Sequence, residues 1–270
     1  MDALDVQPVS RVLVMSDNAP LCGWLQREFE SQAVRHFAEV EWAYSTANQN
    51  PFPMQDLGAT AYDLSDYATI LAVVRRFNVI LNVHGKQIFP PELVNHVTCI
   101  NVHPGFNPYN RGWYPQVFSI INGLPVGATI HVMDSEIDHG PIIAQETVQV
   151  DPGDTSLEVY EKILDLEKRL VAKHLVQILT LTFSAKAPRC EGNINTFADF
   201  RALCEIDLDS VGTMREHLAL LRSLSHGRCR NAFFVANEKQ HFIRVLIDSE
   251  DNLRPHTGES SADNVVATHD

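Results

Sequence analysis

Asn101 and His103 stand two residues apart in the string INVHPGFNPYNRGWYPQVF, residues 100–118. In extended backbone that spacing puts both side chains on one side of a strand. Pro104 and Gly105 then turn the chain, so a carboxamide and an imidazole lie at the strand's mouth. Downstream, HVMDSEIDHGPII (131–143) sets Asp138 in a turn between two strand-like runs. These three side chains offer what acyl transfer to an amine needs. The Asn101 amide can donate a hydrogen bond to a carbonyl oxygen as it becomes an oxyanion. His103 titrates where it can take a proton from the attacking nitrogen. Asp138 can orient the imidazole and match its charge. An amine attacks directly, so no covalent nucleophile is required. Each residue also has an ordinary reading: Asn101 can tie down a loop, and Asp138 before His139-Gly140 can make a turn.

The surrounding pattern supplies elements to position them. Arg11–Met15 (RVLVM) reads as a buried parallel strand, and Ser16-Asp17-Asn18 offers caps for a helix over about 20–31. Val40–Tyr44 is a second strand, and residues 45–58 carry loop chemistry. A short strand at Ala59–Tyr62 and a helix over 65–76 follow. Val79–Val83 and Thr98–Val102 are strands separated by HGKQIFPPELV, a loop with a turn of helix. A helix at Tyr114–Asn122, strands at Val126–Met133 and Ile142–Val150, and a long helix over 157–182 capped by Asp154-Thr155-Ser156 complete the first two-thirds. Alternating strands and helices predict an α/β fold, a doubly wound, mostly parallel sheet with ligands beyond the carboxyl ends of the strands. No GxGxxG follows the first strand, which argues against a dinucleotide in the usual place.

After Thr182 the texture changes. Residues 187–193 read as a linker, 211–224 as an amphipathic helix, and 231–235 with 241–247 as a β-hairpin that needs something to pack on, for which a partner subunit would serve. The expected organisation is a catalytic domain over 1–186, a helix and β-hairpin module over 187–248, and a disordered acidic tail over 249–270. With 45% apolar residues in 270, the chain can bury a sizeable core. A formal charge of −13 disfavours a nucleic-acid partner. The N-terminus does not read as a signal peptide, and no apolar run is long enough to span a membrane. Five scattered cysteines without CxxC pairs fit reduced thiols and a cytoplasmic location.

The Asn–x–His–Pro segment after a central strand, the His131–Met133 and Asp138–Gly140 segment, and the Gln145 strand after it resemble the 10-formyltetrahydrofolate-dependent formyltransferase family over about residues 75–182. Asn101, His103 and Asp138 fall on that family's catalytic trio. The continuation Gly105-Phe106-Asn107-Pro108-Tyr109-Asn110-Arg111-Gly112-Trp113-Tyr114 departs from the Ser–Leu–Leu–Pro run of members acting on glycinamide ribonucleotide or methionyl-tRNA. It is similar to the sugar N-formyltransferase branch, and within it to enzymes acting on dTDP-4-amino-4,6-dideoxyglucose. The resemblance implies 10-formyltetrahydrofolate as cosubstrate, a dTDP-linked amino sugar as acceptor, a product for lipopolysaccharide O-antigen, and a homodimer through the C-terminal module. Lys86, Gln87, Ile88, Phe89 and Asp134 are the folate-binding candidates. Phe106, Asn107, Tyr109, Asn110, Arg111, Trp113 and Tyr114 are the candidates for the sugar nucleotide: Arg111 offers a fork for a diphosphate, and Trp113 and Tyr114 offer stacking faces. The alternative for the two aromatics is packing in the core, and for Lys86 a solvated surface position.

Other readings are weaker. A formyltetrahydrofolate hydrolase, with water in place of the amine, usually carries an N-terminal regulatory domain, whereas the first strand starts here by Arg11. A tRNA-directed transferase would want a basic C-terminal domain. GDP-perosamine or glycinamide ribonucleotide are alternative amines, and a binding-only scaffold would not need the trio. His84, His103 and His131 lie on separate strands without short ligand spacing, so no metal is expected.

Overall fold

The computed structural model describes residues 10–248; the tail expected over 249–270 lies outside them. Strand β1 (Ser10–Met15) leads into helix α1 (Ala19–Ser31), whose start is fixed by Asn18 accepting from the Leu21 N–H. β2 (Ala38–Ser45), the short α2 (Phe52–Asp56), β3 (Thr60–Tyr62) and α3 (Tyr67–Arg76) follow, then β4 (Val79–Val83), α4 (Pro91–Val94) and β5 (Thr98–His103). Next come a two-residue strand β6 (Arg111–Gly112), α5 (Pro115–Asn122), β7 (Gly127–Val132), β8 (Ile142–Thr147) and the long α6 (Ser156–Leu179). Thr155 and Glu158 form a reciprocal capping box at the start of α6. The C-terminal part holds β9 (Ile194–Asn195), α7 (Phe197–Cys204), α8 (Met214–Leu224), β10 (Phe233–Ala236) and β11 (Lys239–Phe242).

Seven strands form one sheet in the order β3-β2-β1-β4-β5-β7-β8. The first five run parallel, and β7 and β8 close the edge antiparallel. This is the mostly parallel, doubly wound α/β sheet that the alternation predicts. One face packs Val12, Val14, Leu81, Val83, Ile100 and Val102 against apolar stripes of α1 and α6. The other packs Leu13, Met15, Ile80 and Cys99 against α3 and α4. The burial explains the near-continuous apolar strands, since both faces are covered. Leu166 on α6 is fully buried, and truncating such a side chain costs about 2–5 kcal/mol.

Three local expectations are corrected. Residues 45–58 are not all loop, because Pro51 and Pro53 begin the short α2. Helix α7 begins at a Thr196–Asp199 capping box where no helix is expected. The hairpin is shorter than the apolar runs imply: Asn237 and Glu238 both take positive φ, giving a two-residue turn with Ala236 opposite Lys239. It already has a surface within the chain. Phe233 and Ala232 share a small core with Val117 and Tyr114 near α5, Phe200 of α7 and Leu224 of α8.

Candidate active site

At the carboxyl end of β5 the site is built from a row of side chains across three strands. Asn82 of β4 pairs in register with Asn101 of β5, and Asn101 with His131 of β7. All three are buried. Asn82 Nδ2 donates to Asn101 Oδ1 at 2.8 Å, and Asn101 Nδ2 lies 3.3 Å from His131 Nε2. Asn101 Nδ2 also donates to Asp138 Oδ1 at 2.9 Å. His131 Nδ1 lies 3.1 Å from the Val132 carbonyl, and its Nε2 lies 3.6 Å from Asp138 Oδ1.

Asp138 reaches this row from the loop between β7 and β8. It takes φ 49, a left-handed conformation that Asp tolerates. Its Oδ2 accepts from the Gly112 N–H at 3.1 Å and faces His103 Nδ1 at 3.4 Å. Its backbone carbonyl accepts from Asn107 Nδ2 at 2.8 Å. Burial by itself would raise the Asp138 carboxyl, but His103, His131 and the Gly112 N–H hold it well below the ordinary carboxylate range. For His103 burial dominates and lowers its pKa; Asp138 pulls it up, and His131 and His84 push it down. The ring is therefore neutral near pH 7. With Nδ1–H directed at the carboxylate, Nε2 carries a lone pair, and that buried nitrogen has no partner. A Cβ at Gly105 would fall 2.3 Å from Nε2, so the bare glycine leaves the nitrogen open.

His84 follows β4 with φ 60. Its Nε2 lies 2.9 Å from Oε2 of the fully buried Glu167 on α6, and its Nδ1 lies 3.3 Å from the Tyr160 hydroxyl. Burial opposes charge on His84, but Glu167 outweighs it and the imidazole pKa is raised.

The residues expected around folate are spread. Gln87 braces the loop, donating to the Tyr62 carbonyl and accepting from the Leu64 N–H, both at 2.6 Å. The Lys86 N–H donates to Asp17 Oδ2 at 2.7 Å while its side chain is exposed. Ile88 is 79% exposed, and Phe89 is buried in the core under α3 and α4. Asp134 lies 2.7 Å from His139 Nδ1.

The residues expected around the sugar nucleotide divide in two. Phe106, Asn107 and Tyr109 line a groove of about 620 Å³ together with Gln145, Lys186 and Arg189. Asn110, Arg111, Trp113 and Tyr114 instead face the C-terminal part. Asn110 is fully buried and bonded to Ser119, Asn122, Asn193 and Asn195. Arg111 is buried, with Nη2 on Glu191 at 2.8 Å and Nη1 3.4 Å from the Ile137 carbonyl. Trp113 packs on Phe197 and Tyr114 on Phe200, with ring centroids 5.1 and 4.0 Å apart. The segment expected as a linker is a strap: Arg111 N–H donates to Asn193 O and Trp113 N–H to Asn195 O, both at 3.0 Å. Among the described residues, the group close enough to share a cation is Glu136, His139 and Glu191, of which Glu191 already holds Arg111.

Sequence reading overlooked Asn82 and the role of His131 beside Asn101. The available signal was a polar residue inside VILNV, a strand apolar at its other positions.

An imidazole, a carboxylate and a carboxamide gather at the carboxyl edge of this sheet, the groups that acyl transfer to an amine calls for, and the chain belongs to the formyl transferase family, which matches residues 3–175. Residues 199–249 match the N-formyltransferase dimerization C-terminal domain. Over 182 residues the chain is 47% identical to the dTDP-4-amino-4,6-dideoxyglucose formyltransferase of Mycobacterium tuberculosis, covering 67% of this chain and 78% of that one. A sugar N-formyltransferase from Shewanella sp FDAARGOS_354 shares the structure with a TM-score of 0.87 at 41% identity, over 89% of this chain and 98% of that one. A 4-N formyltransferase from Francisella tularensis does so with a TM-score of 0.83 at 38% identity, over 89% and 98%.

Proposed function

We propose that this formyltransferase moves a formyl group from 10-formyltetrahydrofolate to the amine of dTDP-4-amino-4,6-dideoxyglucose. The observation that carries the chemistry is the unpartnered, buried Nε2 of a neutral His103 whose Nδ1 is turned toward Asp138. An amine attacking a formyl carbon must lose a proton while negative charge grows on the carbonyl oxygen. His103 Nε2 takes that proton. Asp138 holds the ring in the tautomer that leaves Nε2 free and stabilises the imidazolium once formed. Asn101 donates to the formyl oxygen by exchanging the longer of its contacts, the 3.3 Å approach to His131. The folate donor supplies the activated formyl group. The identity to the mycobacterial enzyme over 182 residues supports the dTDP-sugar acceptor.

The acceptor reading keeps Phe106, Asn107 and Tyr109 beside the substrate, where Lys186 and Arg189 offer charge to a diphosphate. Asn110, Arg111, Trp113 and Tyr114 act on it indirectly, by fastening the loop under the strap. Lys86 to Phe89 and Asp134 frame the folate side, chiefly through the backbone that Gln87 and Asp17 hold. The same proposal makes the enzyme a cytoplasmic homodimer whose formamido sugar serves O-antigen assembly. The match of residues 199–249 to a dimerization domain supports the dimer, as do exposed Leu208, Val211, Met214 and Leu218. Incubation with 10-formyltetrahydrofolate and a panel of amino-sugar nucleotides tests the reaction: mass gain of one formyl unit on the dTDP-4-amino sugar is expected. Formate release without any formylated sugar would overturn it in favour of a hydrolase.

A further inference from the structure

We infer that Asn82, the one polar side chain of β4, is a positioning residue that sets the orientation of the Asn101 carboxamide; this rests on the role proposed for Asn101. Asp138 is held ionised, so its oxygens only accept. Asn101 therefore presents its NH2 to Asp138 Oδ1, and its carbonyl oxygen must point the other way, toward β4. There it meets Asn82, which is in register and 5% exposed, at 2.8 Å. Asn82 must present its own NH2, and that choice leaves its Oδ1 buried without a partner. An unpaired buried acceptor is costly, so the arrangement is one the site holds against a local penalty. Gly85 completes it, because a Cβ there would fall 2.2 Å from Asn82 Oδ1. Without Asn82, the Asn101 amide loses the contact that keeps its donor side turned toward Asp138 and the reacting carbonyl.

Asn82→Leu keeps the branched heavy-atom skeleton and removes the donor. Its expected effect is a fall in kcat of about 10- to 100-fold with little change in either KM, the scale of a misplaced catalytic group. Asn82→Asp gives a readout that a packing role would not move. The new carboxyl can donate to Asn101 Oδ1 only when protonated, and burial beside Asp138 raises its pKa. The ratio of variant to wild-type kcat should therefore climb as pH falls, while the ratio for Asn82→Leu stays flat. Wild-type kcat in Asn82→Leu, or a pH-independent ratio for Asn82→Asp, would overturn the inference. Should Asn82→Leu fail to fold, as thermal melting would report, the Asn82→Asp profile decides alone. Asn101→Ala run in parallel separates the two levels: if it keeps full activity the proposed catalysis fails, whereas an inactive Asn101→Ala beside an unaffected Asn82→Leu sinks only the role of Asn82.

Discussion

Replacing Asp138 with asparagine tests the centre of the proposed chemistry. The side chain keeps its shape but can accept at only one of its two terminal atoms. In the protein, Oδ1 accepts from Asn101 Nδ2, and Oδ2 faces both the Gly112 N–H and His103 Nδ1. If the new NH2 faces Asn101, two amide donors oppose each other. If it faces Gly112 and His103, the Gly112 N–H is left unpaired. His103 then also gains by moving its proton to Nε2, the atom that must be free. Neither orientation restores the site. The expected loss in kcat is about 100- to 10000-fold, or about 3 to 6 kcal/mol of barrier at about 1.4 kcal/mol per tenfold.

A pH profile adds a signed prediction. The base works unprotonated, so kcat/KM falls as pH drops through the pKa of His103. Asp138 is the group that raises that pKa against burial, His131 and His84. Its neutralisation must move the acid limb to lower pH while the plateau falls. The assay is the initial rate of sugar formylation from pH 5 to 9. A variant that keeps more than about a tenth of wild-type kcat, or whose acid limb moves to higher pH, would refute the assignment of His103 as base and Asp138 as its orienting partner.

Gly105→Ala places a methyl group 2.3 Å from His103 Nε2, so kcat should fall by at least about 100-fold, the scale of a lost general base, with the thermal transition retained. The His84–Glu167 pair predicts a pH-dependent stability. Because the folded pKa of His84 is raised, its contribution is complete below about pH 6.5, the ordinary imidazole value, and fades as pH climbs through the folded pKa. The melting difference between wild type and Glu167→Gln should thus be largest in acid and narrow in alkali; a constant difference would exclude a charged pair. Met214 and Leu218 on α8 are 71% and 44% exposed, and changing both to Glu should turn the proposed dimer into a monomer by light scattering.

The sheet was readable because its strands and helices carry strong, uninterrupted patterns. Val79–Val83 is apolar enough to announce a strand buried on both faces, and the capping run Asp154-Thr155-Ser156 puts the start of α6 within one residue of Ser156. The elements misjudged are those whose existence depends on distant partners. Residues 191–195 carry no pattern of their own, and Ile194–Asn195 become β9 only because the loop at Asn110–Trp113 offers N–H groups that carbonyls of this segment accept. Trp113 and Tyr114 looked like stacking platforms for a ligand because nothing local shows that Phe197 and Phe200 arrive from more than eighty residues away.

The same distinction governs the candidate site. Asn101 and His103 were legible because the period of a strand alone puts them on one side. The interactions that give each its working state cross between strands and loops. Asp138 faces His103 Nδ1, Asn82 and Asp138 hold the two ends of the Asn101 carboxamide, and Gly105 leaves His103 Nε2 uncovered. The strap then ties these atoms to the C-terminal module. The Gly112 N–H that Asp138 accepts belongs to the strand held by Asn195, and the next residues, Trp113 and Tyr114, pack on α7. The module that matches a dimerization domain is therefore joined to Asp138, the proposed orienting carboxylate, through the hydrogen-bonded β6–β9 strap, so a change that loosens the strap should lower kcat without touching the proposed trio.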